Sequence, residues 1–268
     1  MGDISPKAIV ANPAGMAADV QVGAFSLLGP EVTVGKGTVI GNNVTVLGRT
    51  KIGPGCRLFP GCVIGCPPVG TPDETDLGPC TLGANNNIRE HVIIECGLDS
   101  EGEGTVIGDD NLLMVGVQVG HDAHIAGRDV FANFTRIERH ARVGRYVQTS
   151  GFACIDAYVS VGAYTYTTGY AGIDRDAPPY AIVHGSPYRL RNVNAEKLRR
   201  CGFDEQTIAT LKEAFRLLYP GDGAAETPLA RLEQVERDFQ NEHVKILAES
   251  IRRSLASPGR RAREAAGT

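Results

Sequence analysis

From residue 107 to residue 173 an aliphatic or aromatic side chain returns at every sixth position. The series is Ile107, Leu113, Val119, Ile125, Phe131, Ile137, Val143, Ile155, Val161 and Ile173, interrupted only by Thr149 and Thr167. Two residues before most members sits a small or branched residue: Thr105, Val117, Ala123, Thr135, Ala141, Val147, Ala153, Val159, Thr165 and Ala171. A period of six suits neither an amphipathic helix nor a simple alternating strand. It suits a short strand and a turn, repeated and wound into a solenoid whose coils bury their apolar faces by stacking.

The same period runs upstream without a break through Val22, Leu28, Val34, Ile40, Val46, Ile52, Leu58 and Ile64. Its companion series is Val20, Ser26, Val32, Thr38, Val44, Thr50, Cys56 and Cys62. Glycine follows most of the aliphatic positions (Gly23, Gly29, Gly35, Gly41, Gly53, Gly65), which predicts that these glycines carry the sharp turns through positive φ.

Two segments break the period. Residues 66–80 hold four prolines and little apolar content, and read as an external loop. Leu82 follows Ile64 by three whole hexads, so phase is kept. Residues 98–104 are acidic and glycine-rich. Ile107 stands one position beyond two whole hexads from Ile94, which shifts the phase by one. Long loops in a compact array more often serve function than decorate it.

After Ile173, Asp176-Ala177-Pro178-Pro179-Tyr180 closes the solenoid, and Ala181–Gly185 reads as a last extended piece. From Asn194 the apolar spacing turns helical, with Asp204 an N-cap before Ile208. Further helices are expected over about 227–240 and 243–255. The expected organisation is an all-β solenoid over 1–190, then a small helical domain over 191–268 with a disordered tail.

Bulk properties narrow the function classes. A net charge of −4 leaves no general footprint for nucleic acid or an anionic membrane, and without tryptophan base stacking has little to work with. No stretch reaches the apolar length of a membrane span, and the segment from Met1 to Met16 lacks the basic and apolar parts of a signal peptide. The seven cysteines are odd in number and form no CxxC pair. Cys56 and Cys62 fall on inward positions as core fillers. A reduced, cytoplasmic setting is the natural reading.

Three hexads make one coil, so each residue should stack on the one three hexads later, one strand spacing away. On that rule His121 and Asp122 sit in a turn with Arg139 and His140 on the next coil and Tyr158 beyond His140. Gln118 then stacks on Arg136, and His124 on Arg142. An imidazole beside a carboxylate is a general base with an orienting partner. The plain alternatives are solvated surface residues or an intersubunit contact. A zinc site through His121, His124 and His140 is disfavoured, because His124 projects from a flat face. No metal is expected.

Several stretches resemble the UDP-N-acetylglucosamine O-acyltransferases that begin lipid A synthesis. They are Asn87-Ile88-Arg89-Glu90, Asp109-Asp110-Asn111-Leu112-Leu113-Met114, Gly120-His121-Asp122, Ala132-Asn133, Asp176–Tyr180 and Arg199-Arg200-Cys201-Gly202-Phe203, in family order over almost the whole chain. The resemblance implies a left-handed parallel β-helix, a homotrimer, and a C-terminal helical domain. It implies transfer of a 3-hydroxyacyl chain from the phosphopantetheine arm of acyl carrier protein to the sugar 3-hydroxyl, with no separate cofactor. His121 matches the base, Asp122 its partner, and His140 a residue lining the acceptor site. Asn194, Glu196 and Arg200 match residues that contact nucleotide or carrier. Gly169 matches a position whose size helps set acyl length. Arg136, Arg142, Arg189 and Arg191 are candidate carrier-docking charges.

The chain also departs from that family pattern. Gly70 and Pro72 stand where the family has a loop Asp and Lys. Gln118 replaces a histidine, Asp156-Ala157 replaces His-Gln, and Arg139 replaces the oxyanion glycine. Four readings follow: this acyl transfer; the same transfer to another nucleotide sugar or an amine; a γ-carbonic-anhydrase-like metal solenoid; and a non-catalytic trimeric scaffold.

Overall fold

The computed structural model describes residues 3–72, 75–98, 100–220 and 227–256. Each hexad forms one short strand, mostly of two residues, and one turn. Successive strands fall on three faces in rotation: Gln21–Val22, Leu27–Leu28, Thr33–Val34, then Val39–Ile40 back on the first face. Among the described residues the faces are sheets of ten, nine and seven strands, parallel throughout except for one closing pair. The chain is a left-handed parallel β-helix.

The interior is what the two interleaved series prescribe. Leu28, Ile40, Ile64, Ile88, Ile107, Leu113, Phe131 and Ile155 are wholly buried, as are Val32, Val44, Cys56, Cys62 and Ala123 of the companion series. Each large aliphatic side chain so buried contributes ~1.5–3 kcal/mol. Thr149 and Thr167, which interrupt the series, still point inward. Thr149 Oγ1 accepts the Ala132 amide at 3.0 Å and meets Thr135 Oγ1 at 2.8 Å. The companion series skips Asn111 and Asp129, and these form a polar ladder inside the coil. Asn86 Oδ1 accepts from the Asn111 amide, Asn111 Oδ1 from the Asp129 amide, and Asp129 Oδ1 from the Val147 amide, at 2.7–3.0 Å.

The glycine expectation needs correcting. Of the six glycines after aliphatic positions, only Gly65 has positive φ. The left-handed residue lies two positions further on and is often large: Phe25, Asn43, Asp122, His140, Phe152, Tyr158. The glycines serve close approach instead. A Cβ on Gly41 would lie 3.0 Å from the Leu58 carbonyl, and one on Gly35 2.6 Å from the Pro54 nitrogen of the next coil.

The three-hexad spacing holds through the regular coils, as in Gln118↔Arg136↔Cys154. It fails across the loops. Ile52 pairs with Leu82 where the regular spacing would bring Gly70, so the first loop adds two hexads' worth of chain. Leu82 pairs with Ile107 where the regular spacing would bring Ser100, so the second adds one position more than a hexad. Both loops pack together at the corner between the nine- and seven-stranded sheets. The Arg49 guanidinium donates to the Leu77 carbonyl and, at 3.0 Å, to the Ser100 carbonyl. The Gly78 amide reaches the Gly97 carbonyl at 2.8 Å.

After Ala181–His184, strand Arg189–Val193 pairs back antiparallel, an element the spacing did not predict. It ends the sheet and hands the chain to helices α1 (Ala195–Arg200), α2 (Glu205–Leu218), α3 (Pro228–Asp238) and α4 (Glu242–Ala256). Asp204 caps α2 by accepting from the Thr207 amide at 2.7 Å, and Ile208, Leu211, Phe215 and Leu218 form its buried stripe. Residues 257–268, where a disordered tail was expected, lie outside the described residues.

Candidate active site

His121 and Asp122 occupy the turn between Gln118–Val119 and His124–Gly127, at the corner below the two loops. Asp122 holds a left-handed φ of 57°, which turns its carboxylate back over its neighbour. His121 Nδ1 and Asp122 Oδ2 are 2.7 Å apart. The same oxygen accepts the Leu98 amide at 3.1 Å, so the second loop helps hold the carboxylate. The Asp122 amide donates to Thr105 Oγ1 at 2.9 Å, and the His121 amide to Glu95 Oε2 at 3.0 Å. With side-chain exposures of 12% and 13%, neither residue is the solvated surface group that a turn would ordinarily carry.

Burial alone would raise the Asp122 carboxyl. The hydrogen bonds from His121 and the Leu98 amide, with the charge of nearby His121 and His140, outweigh it and hold the group below its usual range. The Asp122 carboxylate therefore fixes the proton of His121 on Nδ1 and leaves Nε2 to take another.

One coil on, His140 meets His121 edge to face with centroids 5.2 Å apart. Tyr158 stacks on the far side of His140 at 4.6 Å and 16°, and the Arg139 guanidinium lies 5.6 Å from the Tyr158 ring centre. Burial lowers the affinity of His140 for a proton, so a neutral imidazole lines the site at neutral pH. A Cβ on Gly120 would lie 2.7 Å from the Arg139 nitrogen, so position 120 must stay bare for that amide to be approached.

The structure thus brings His121, Asp122, Arg139 and His140 into one cluster. Gln118 is exposed on the adjoining nine-stranded face, stacked on Arg136. Asp156 lies beside Glu138 in the next coil and accepts a long contact from Cys154 Sγ at 3.6 Å. Gly169 is elsewhere, in the turn between the ten- and nine-stranded faces. Asn194 belongs to the third corner, where its Nδ2 donates to the Tyr164 carbonyl at 2.9 Å. Glu196 and Arg200 are ion-paired along α1. Gly70 and Pro72 carry no polar side chain into the first loop. The candidate residues therefore sit at three corners of one triangular prism.

Sequence reasoning missed Glu95, Leu98 and Thr105. Their signal was present: Ile94 pairs with Val119, so Glu95 stands level with Gly120 once the offset of the second loop is applied. As for metal, the ligand atoms of His121, Asp122 and His140 lie within 4.8 Å of one another. His124 is not among them and instead faces Glu103 at 3.7 Å. Asp122 is committed to His121 and Leu98, which suits an acid–base pair.

Residues 176–259 match the family described as Udp N-acetylglucosamine O-acyltransferase, Domain 2. A protein of Stutzerimonas stutzeri named acyl-acyl carrier protein–UDP-N-acetylglucosamine O-acyltransferase is 34% identical over 257 residues, 95% of this chain and 98% of its own. A Synechocystis protein of the same name is 38% identical over 215 residues, 80% of this chain and 76% of its own. Among solved structures, the UDP-N-acetylglucosamine acyltransferase of Bacteroides fragilis superimposes with a TM-score of 0.87 at 29% identity, covering 93% of this chain and 97% of its own. That of Acinetobacter baumannii gives 0.84 at 29% identity, covering 94% and 97%.

Proposed function

The chain belongs to the UDP-N-acetylglucosamine O-acyltransferase family, and from that premise we propose that it transfers a 3-hydroxyacyl group from acyl carrier protein to the 3-hydroxyl of UDP-N-acetylglucosamine, the first step of lipid A synthesis. The observation that carries the chemistry is the half-buried His121–Asp122 pair at 2.7 Å. His121 Nε2 takes the proton of the sugar hydroxyl as its oxygen attacks the thioester carbon. Asp122 holds the imidazole and offsets the imidazolium charge that forms. Collapse of the tetrahedral adduct breaks the C–S bond, and His121 returns the proton to the departing thiolate. Arg139 sits beside this point, its amide in the place of an oxyanion donor and its side chain a nearby cation. His140, braced by Tyr158, lines the acceptor pocket with Gln118 and Asp156.

The thioester already carries the activation, so this chemistry asks for no cofactor beyond the carrier's arm. Three copies are expected to complete the site. Gly169, Asn194 and the α1 residues Glu196 and Arg200 lie at other corners than the base, and adjacent copies in a trimer bring unlike corners together. Such a cleft also excludes water from the reacting groups. The solenoid over 1–190 would then supply the chemistry and the helices over 191–268 the nucleotide and carrier contacts, in the cytoplasm where carrier and nucleotide sugar meet.

Acyl transfer from a series of 3-hydroxyacyl carrier proteins to UDP-N-acetylglucosamine, wild type beside His121→Ala, tests this reading. Transfer that vanishes in the variant supports it. A folded wild type that acylates a 3-amino nucleotide sugar and leaves the hydroxyl untouched would favour the second reading, an amine acceptor. The Glu95 carboxylate that accepts the His121 amide, together with Gln118, Asp156 and Arg139 standing where the family has other residues, is the observation behind that alternative.

A further inference from the structure

The His121 corner rests on a support that begins three coils away. Val46 pairs with Ile64, Ile64 with Ile94, and Ile94 with Val119. Arg49, three residues after Val46, therefore stands on the same corner as His121, roughly 14 Å from it along the solenoid. The Arg49 carbonyl accepts the Cys80 amide at 3.2 Å, where the first loop re-enters its sheet. The Arg49 guanidinium donates to the Leu77 carbonyl at the end of the first loop and, at 3.0 Å, to the Ser100 carbonyl in the second. Asp76 stands 3.9 Å from the same nitrogen. One side chain thus holds both loops.

The second loop is seated on the first by three backbone bonds. The Gly78 amide donates to the Gly97 carbonyl at 2.8 Å, and the Pro79 carbonyl accepts the Gly97 and Thr105 amides, each at 3.1 Å. The seat is close. A Cβ on Gly104 would collide with the Pro79 carbonyl oxygen, and one on Gly97 would stand 3.0 Å from Asp122 Oδ1. Two supports of Asp122 rise from this seat. Leu98, next after Gly97, gives its amide to Asp122 Oδ2 at 3.1 Å, and Thr105 Oγ1 accepts the Asp122 amide at 2.9 Å. A run of hydrogen bonds therefore leads from Arg49 through residues 77–79 to the carboxylate that orients His121.

We propose that Arg49 is a positioning residue for the reaction: by clamping both loops it seats the Leu98 amide on Asp122 and so sets the strength of the His121 base. The inference rests on the acyl-transfer reading above and adds a residue three coils from the reacting atoms. The physical reason is competition for one oxygen. Asp122 Oδ2 meets both His121 Nδ1 and the Leu98 amide. An amide that draws on the carboxylate charge leaves less of it for the imidazole. With that amide withdrawn, the carboxylate holds the imidazolium more tightly, and the base is freed of its proton only at higher pH. The other titratable groups around the pair act in wild type and variant alike. They are His140 on the next coil, His124 on the following strand, Cys96 at the root of the second loop, and Glu95 on the His121 amide.

The test compares wild type, Arg49→Gln and Arg49→Lys. The Arg49 side chain is 40% exposed, so neither change empties the core. In Arg49→Gln, hydrogen exchange at the Leu98 amide should quicken. Its kcat should fall about tenfold, and the acid limb of kcat against pH should move to higher pH. Arg49→Lys keeps the cation without the flat fork and should fall between the two. Quicker exchange with kcat and pH profile unchanged would overturn the proposal, since the clamp would then be structural only. Unchanged exchange would overturn it too. So would a raised KM with the acid limb in place, which would put Arg49 in substrate binding. Carbethoxylation of His121 by diethylpyrocarbonate, which attacks only the neutral imidazole, follows the same proton without turnover. An onset moved to higher pH in Arg49→Gln supports the clamp even if the sugar acceptor proves wrong, and an onset that stays in place overturns it.

Discussion

At the residue scale the question is what would equip a histidine in a turn to act as the proposed base. His121 is braced on one side by Asp122 and on the other by the edge contact with His140, and its amide is tied to Glu95. Replacing Asp122 by Asn leaves the shape but removes the charge that fixes the Nδ1 proton. Asp122→Asn is expected to lower kcat by roughly 10²–10⁴-fold with little change in KM, read from steady-state transfer rates. His140 titrates below its ordinary value because burial penalises the cation. Its folded form binds a proton less readily than its unfolded form. Stability is therefore full above the ordinary imidazole pKa and falls as pH drops through it. His140→Gln should lessen that acid-side fall in melting temperature.

Asp129 has the opposite sign. Burial pushes its carboxyl up to about 7, against the hydrogen bonds from the Val147 and Gly127 amides. The folded chain keeps a proton that the unfolded chain releases above the ordinary carboxylate range. Stability should therefore decline as pH rises from about 4 to about 7, and Asp129→Asn should flatten that slope in melting curves.

At the element scale each coil is held by two demands that the sequence meets with different residues. The large aliphatic position fills the interior, and the residue after it must let the next coil come close. Gly120 is the case nearest the site, where an added Cβ would stand 2.7 Å from the Arg139 nitrogen. Gly120→Ala is expected to cost about 1–3 kcal/mol in chemical denaturation and to reduce transfer, because it displaces the coil bearing Arg139 and His140. A loss of stability without a loss of rate would show that the Arg139 amide is not used. The left-handed corner two residues on carries side chains that stack from coil to coil. Phe134, Phe152 and Tyr170 do so with centroids 5.2 Å apart, beside the Gly151–Gly169 trough.

For the whole molecule, this Phe134–Phe152–Tyr170 ladder is an exposed apolar edge at the corner that bears Gly169. Patches of that kind usually meet a partner. In a trimer this corner would face the base of a neighbour, so sedimentation should give a mass near three times 28.5 kDa. Phe152→Glu should reduce that mass and the transfer rate together. A monomer with full activity would remove the reason for placing Gly169 and α1 in the same site as His121.

The period of six alone determined the solenoid, its interior and the stacking of His121, Asp122, Arg139, His140 and Tyr158. Coil-to-coil contacts are local in register, so counting in steps of three hexads predicts neighbours without coordinates. Tertiary structure decided what counting does not reach. Loop lengths are not multiples of a coil, so Glu95, Leu98 and Thr105 reach the His121–Asp122 pair only because the loops fold back on the corner. Five of the six glycines that follow the upstream aliphatic positions do not carry the left-handed turn, because positive φ falls two residues later. The antiparallel strand Arg189–Val193 depends on how the chain end packs against the solenoid, and no repeat encodes that packing.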